Sequence, residues 1–139
     1  FLYSLYMMSQ TASGNADLTS MESHLYVAEQ EAILRLAAGG RAIFLGHCAS
    51  EALKEYKGVI KVFIRCGDEK EKKKRILEDY GIEEAKADVV RRKFDKKRAN
   101  YYHVNTMKRW EDPKNYDIVL DSGSLGLEGC LNILEGLEK

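Results

Sequence analysis

Apolar positions along this chain follow two rhythms. Some recur three and four residues apart, as on one side of a helix; others form short unbroken runs, as in strands buried on both faces. Leu25, Ala28, Ala32, Ile33, Leu36 and Ala37 share one helical side. Thr19-Ser20-Met21-Glu22 has the form of a capping box that opens this helix, and Gly39-Gly40 stops it. Ahead of it, Ser9 to Thr19 is polar and reads as a loop. Ala42-Ile43-Phe44-Leu45, ending at Gly46, predicts a first strand, and Ala49 to Lys57 a short helix closed by Gly58. Val59-Ile60-Lys61-Val62-Phe63-Ile64 predicts a second strand. Asp68 is placed to N-cap a charged helix that stops at Tyr80-Gly81. A long helix follows, from about Ile82 to near Tyr102. A turn at Glu111 to Asn115 leads to a third strand, Tyr116 to Asp121. Ser122-Gly123-Ser124 then opens a C-terminal helix carrying Leu127, Leu131, Ile133, Leu134 and Leu137.

Strands alternating with helices predict an α/β fold: a parallel sheet with right-handed crossovers and helices on both faces. Ligands of such sheets bind at the carboxyl ends of the strands. Gly46-His47-Cys48, Cys66-Gly67-Asp68 and Asp121-Ser122-Gly123 all fall there. Three strands make a narrow sheet, which implies that a further strand is missing. Open edges predict self-association into a homo-oligomer.

The bulk numbers bound the partners. At 139 residues the chain has the length of a single domain, residues 1–139, and its net charge is zero with 32% charged residues. Neutrality argues against a general nucleic-acid binder, which needs a basic face to release counterions. No apolar run reaches the length of a membrane span. Phe1 to Met8 is apolar, but it has neither a basic leader nor a cleavage site, and position 1 is not Met. The expectation is a chain that starts partway through a longer product. Cys48, Cys66 and Cys130 are odd in number and widely spaced, as in a reduced cytoplasmic protein with small buried thiols. His24, His47 and His103 make no metal-binding pattern.

The chemistry sits in Arg91, Asp95 and Arg98. At about 100° per residue they form one helical stripe with Asp88 and Tyr102 beside them. Two guanidinium groups with a carboxylate between them suit phosphoryl oxygens. The plainer account of the same spacing is a solvated helix laced with i,i+3 and i,i+4 ion pairs.

Four stretches taken in order tip the balance: Gly39 to Cys48, Lys61 to Cys66, Asp95 to Tyr102, and Trp110 to Ser122. From roughly residue 20 onward, their order and spacing resemble the cytidylate kinase-like family of the P-loop nucleoside-monophosphate kinases. The resemblance implies a three-layer P-loop kinase-like fold, here missing its N-terminal strand, with residues 82–110 as a lid-like helical region. It implies that Arg91 and Arg98 close over phosphates as catalytic residues while Asp95 helps hold the acceptor nucleotide. It also implies ATP and Mg²⁺ as cofactors of the intact protein. Arg75, in a basic run with Lys73 and Lys74, stands where relatives carry a residue reaching the donor nucleotide. Tyr101 and Tyr102 read as packing residues rather than stacking platforms.

Two departures bear on activity. No G-x-x-x-x-G-K-[ST] loop, whose backbone amides would cradle donor phosphates, occurs in the chain. And His47 stands where the family has an arginine that binds the acceptor phosphate; a histidine lacks the bidentate fork and is only partly charged at neutral pH. The expected activity is transfer of the ATP γ-phosphoryl to CMP or a related acceptor by the intact protein, with this chain inactive alone. The alternative is a non-catalytic nucleotide-binding or protein-interaction module on a degenerate kinase fold.

Overall fold

A computed structural model describes residues 15–80 and 83–137. Contacts gather into two compact units, residues 1–55 and 56–139. In the first, helix α1 runs Asn15–Ala38. Gly40 adopts the left-handed backbone (φ +116°) that ends it. The short helix α2, Ala49–Ala52, packs against α1. Ile33, Cys48, Ala49 and Leu53 are buried.

The second unit carries strand β1 (Val62–Arg65), helices α3 (Glu69–Tyr80) and α4 (Glu84–Thr106), a 3-10 turn (Pro113–Asn115), strand β2 (Ile118–Asp121) and helix α5 (Ser122–Glu135). The two strands pair in parallel, Val62 opposite Ile118 through Arg65 opposite Asp121, joined by the helical crossover. Their entry is pinned by Asp117, whose carboxylate accepts from the Lys61 amide at 2.7 Å while its own amide donates to the Lys61 carbonyl at 2.8 Å. Phe63 stacks on Tyr116, with centroids 4.9 Å apart, and meets Trp110 edge-on at 5.3 Å. The Tyr116 hydroxyl donates to the Trp110 carbonyl at 2.7 Å, locking the cluster to the turn before β2. Helix α5 packs on both strands, and Leu120 and Cys130 are buried. Helices α3 and α4 form an antiparallel hairpin. Lys73 pairs with Glu84 at 3.1 Å and Glu69 with Arg91 at 2.7 Å, so the start of each helix meets the body of the other. Ala87 and Tyr102 are buried, as packing residues should be.

Several sequence expectations are corrected. The largest concerns residues 42–45, which form no strand. Ile43 is 89% and Leu45 85% exposed. A run with strand composition becomes a strand only when neighbouring backbone accepts its hydrogen bonds, and no described residue does so. The three-stranded sheet is therefore two-stranded among the described residues. Helix α1 includes residues 15–19, which the loop reading placed outside it. No glycine or proline breaks 15–38, and the T-x-x-E string lies inside the helix. Helix α2 stops at Ala52, because Leu53 leaves helical geometry at φ −100°, ψ 16°. The second expected strand starts later, at Val62, and the third at Ile118. The long helix runs on to Thr106, where the left-handed Met107 caps it. Phe1 to Met8 and Gly81 lie outside the described residues. No helix among the described residues is long and apolar enough to cross a membrane.

Candidate functional site

The carboxyl ends of β1 and β2 are joined by one side chain. Asp121 accepts from the Gly67 amide at 2.9 Å and the Gly123 amide at 3.0 Å through one oxygen, and from Arg65 Nε at 3.0 Å through the other. These donors, the Gly67 amide first and Arg65 next, hold its pKa below the ordinary 3.8. The same carboxylate caps α5, and Ser122 Oγ donates back to the Arg65 carbonyl at 3.1 Å. On the other side of this crest Asp68 caps α3, accepting from the Lys70 and Glu71 amides at 2.8 and 3.3 Å. The Asp68 cap agrees with the sequence, and Asp121 is the residue directly before the Ser122-Gly123-Ser124 helix start. Two helix starts thus meet where parallel strands end. Between them lies a cleft of about 560 Å³ lined by Gly67, Asp68, Glu69, Lys70, Gly123 and Ser124.

The crest needs glycine for close approach. A Cβ on Gly123 would lie 2.9 Å from the Asp68 amide nitrogen and 3.1 Å from Cys66 Sγ, and one on Gly67 would lie 2.7 Å from Asp121 Oδ2. Because the nearest atom to Gly123 is backbone, Gly123→Ala forces the two loops apart. The expected loss of stability is about 1–3 kcal/mol, read as a lower urea midpoint at unchanged slope. An unchanged midpoint would show that the loops separate freely.

The stripe on α4 is present, but its members are engaged separately. Arg91 is folded against the helical hairpin with only 16% of its side chain exposed. Its Nη2 lies 2.7 Å from Glu69 Oε2, and its Nε lies 3.8 Å from Asp88 Oδ1. Arg98 is largely exposed and pairs with Asp95 at 3.3 Å. Arg91 is therefore linked to the strand-end cleft through Glu69. Asp95 lines a different cleft of about 320 Å³ with Lys96, Ala99, His103, Arg109, Trp110 and Glu111. Arg75 stands on the exposed side of α3.

His47 belongs to the first unit. Its Nδ1 bonds Glu29 Oε1 at 2.9 Å, and its carbonyl accepts from Gln30 Nε2 at 3.0 Å. Gly46, His47 and Cys48 are consecutive left-handed residues, at φ 72°, 55° and 54°. Two of these carry side chains in a conformation that costs about 1–2 kcal/mol each. Cys48 is buried beside Glu29 and Glu51. Burial first, then those carboxylates, raises its thiol pKa to about 11, so it stays protonated and is no nucleophile. All three cysteines are free thiols; Cys48 and Cys130 are buried and Cys66 is half-buried, its Sγ 3.3 Å from the Asp68 carbonyl.

The sequence singles out Arg91 and His47 but not the carboxylates that hold them, Glu69 and Glu29. Glu69 reads as an ordinary acidic residue in the first turn of a charged helix. Nothing in the string places it against a residue 22 positions later. Glu29 is hidden in the same way within α1.

Comparison with known proteins follows this geometry. A family model described as "Cytidylate kinase-like family" matches residues 1–124. A solved neighbour is the crystal structure of an uncharacterized protein from Eubacterium ventriosum ATCC 27560. It is 24% identical with a TM-score of 0.75, and the match covers 83% of this chain and 72% of that one. At that identity the likeness speaks for the fold. No curated protein matches the chain.

Proposed function

This chain belongs to the cytidylate kinase-like family, and on that premise we propose that the intact protein transfers the γ-phosphoryl of ATP to CMP or a related nucleoside monophosphate. The observation that carries the reading is α4. Arg91, Asp95 and Arg98 lie on one of its faces, and Arg91 reaches a wall residue of the cleft at the strand ends. Phosphoryl transfer is mainly positioning and neutralisation of spread negative charge. An acceptor phosphate oxygen bonds to the γ-phosphorus while its bond to the bridging oxygen of ADP breaks. Arg91 and Arg98 balance the charge on the transferring group, Asp95 orients Arg98 and the acceptor, and His47 exchanges Glu29 for the acceptor phosphate. Arg75 serves the donor side. In this reading the fold is the three-layer P-loop kinase-like arrangement.

Mg²⁺ would supply charge neutralisation to the donor nucleotide, and no group of three or more His, Cys, Asp or Glu side chains gathers among the described residues to hold it. The sequence also has no glycine-rich phosphate loop. No step is therefore assigned to the metal on this chain, and the donor phosphates lack their backbone cradle. The expected result is no ADP release in a coupled assay with ATP, Mg²⁺ and CMP, and a rise in melting temperature with CMP above that with AMP or UMP. Turnover would overturn the predicted inactivity. The absence of any nucleotide shift would overturn the nucleotide reading and favour a protein-interaction module, whereas a shift without turnover by the intact protein would favour a non-catalytic nucleotide-binding one.

A further inference from the structure

Arg91 poses a problem that its family role does not solve. Its Nε is the one side-chain nitrogen or oxygen, among the described residues, that is fully buried without a hydrogen-bond partner. The Asp88 oxygen at 3.8 Å is beyond hydrogen-bond reach. Its Nη2, by contrast, is held at 2.7 Å by Glu69. The guanidinium is thus flanked by two carboxylates and uses only part of its donor fork. An anion approaching the strand-end cleft meets Glu69 in the wall and finds Arg91 already neutralised.

The holding bond is weak by position. Glu69 is 61% exposed, and its other oxygen lies 3.4 Å from Lys72 Nζ. Only the Glu69 side of the pair is exposed, so this carboxylate, rather than the half-buried guanidinium, is the partner that can be exchanged. A phosphoryl group offers Arg91 two or more oxygens and matches the fork geometry that a single carboxylate oxygen leaves unused. Helix α3 begins at Glu69, so swinging this side chain away disturbs no cap; Asp68 performs that task.

We propose that Glu69 is a positioning residue: a resting counter-ion in the wall of the strand-end cleft that occupies Arg91 until polyphosphate displaces it. This deepens the phosphoryl-transfer reading and rests on Arg91 contacting phosphate. Glu69 thereby sets how much polyphosphate is needed before Arg91 engages.

Titration calorimetry with inorganic tripolyphosphate on the full chain tests this. Glu69→Gln is expected to tighten binding about threefold or more. Glu71→Gln, which removes the same charge from an exposed neighbour on α3, moves it less than half as far. In an Arg91→Gln background the Glu69→Gln gain disappears, because no fork remains to be released. Thermal melts of each variant verify folding. If Glu69→Gln and Glu71→Gln tighten binding equally, or the Glu69 gain survives without Arg91, the effect is general charge and the counter-ion role is overturned. If Arg91→Gln weakens binding while Glu69→Gln changes nothing, the counter-ion role alone fails. If Arg91→Gln has no effect, or the parent chain binds no tripolyphosphate, the reading beneath it falls as well.

Discussion

Replacing Phe63 by alanine is expected to lower the unfolding free energy by about 3 kcal/mol. The Phe63 ring lies against both the Trp110 and the Tyr116 rings, with centroids 5.3 and 4.9 Å away. Phe63 is half-buried, and truncation removes a large apolar group from beside two rings fixed by the Tyr116 hydroxyl bond to the Trp110 carbonyl. Aromatic geometry adds about 0.5–1.5 kcal/mol per pair beyond area. The strands are four residues each, so little else fastens β1 to the turn that delivers β2. Phe63→Leu, which keeps most of the volume, should lose about 1 kcal/mol. Trp110 is the sole tryptophan, and its emission reports the cluster directly: a red shift in folded Phe63→Ala and an earlier denaturant midpoint. A loss below about 1 kcal/mol would show that the ring cluster is decoration rather than core.

Asp121→Asn should change how stability responds to acid. The Asp121 pKa is lowered in the folded protein, chiefly by the Gly67 amide and next by Arg65. A carboxyl whose folded value lies below its unfolded value binds fewer protons when folded. Its contribution is therefore complete above the unfolded value, near 3.8, and fades as pH falls from there through the lowered folded value. The variant keeps an acceptor for the glycine amides but turns an amide donor toward Arg65. It should melt several degrees lower at pH 7. Its melting temperature should then fall less steeply than the parent's below pH 4, so that the two curves converge in acid. Arg65 is largely exposed, so salt should screen its share of the difference, and the bonds from the Gly67 and Gly123 amides should carry the remainder. Parallel curves across the acid range would contradict the assignment.

Much of the second unit was legible in the chain. Asp68 was readable as a helix cap, because a cap acts over two or three residues and its signal is local. The parallel pairing of two apolar runs across a helical crossover followed from their order. Arg91, Asp95 and Arg98 were readable as one stripe, since helical spacing alone sets that. Their partners were not. The spacing was consistent with Arg91 and Arg98 gripping one object together, whereas the structure ties Arg91 to α3 and Arg98 to Asp95. Ala42 to Leu45 shows the same boundary from the other side: apolar composition promised a strand, and composition cannot supply the partner backbone.

By itself, then, the amino-acid order determined what depends on near neighbours: the presence and order of the helices, the Asp68 cap, strand candidates, the charged face of α4 and the family to which these belong. Only the tertiary structure decided which strand candidates pair, that Gly67 and Gly123 must yield their side-chain space to Asp121 and to the Asp68 backbone, and that Glu69 occupies Arg91. The reason is physical. Propensity and periodicity act within a few residues, while hydrogen-bond partners, ion pairs and steric contacts come from segments tens of residues apart, brought together only when the chain folds.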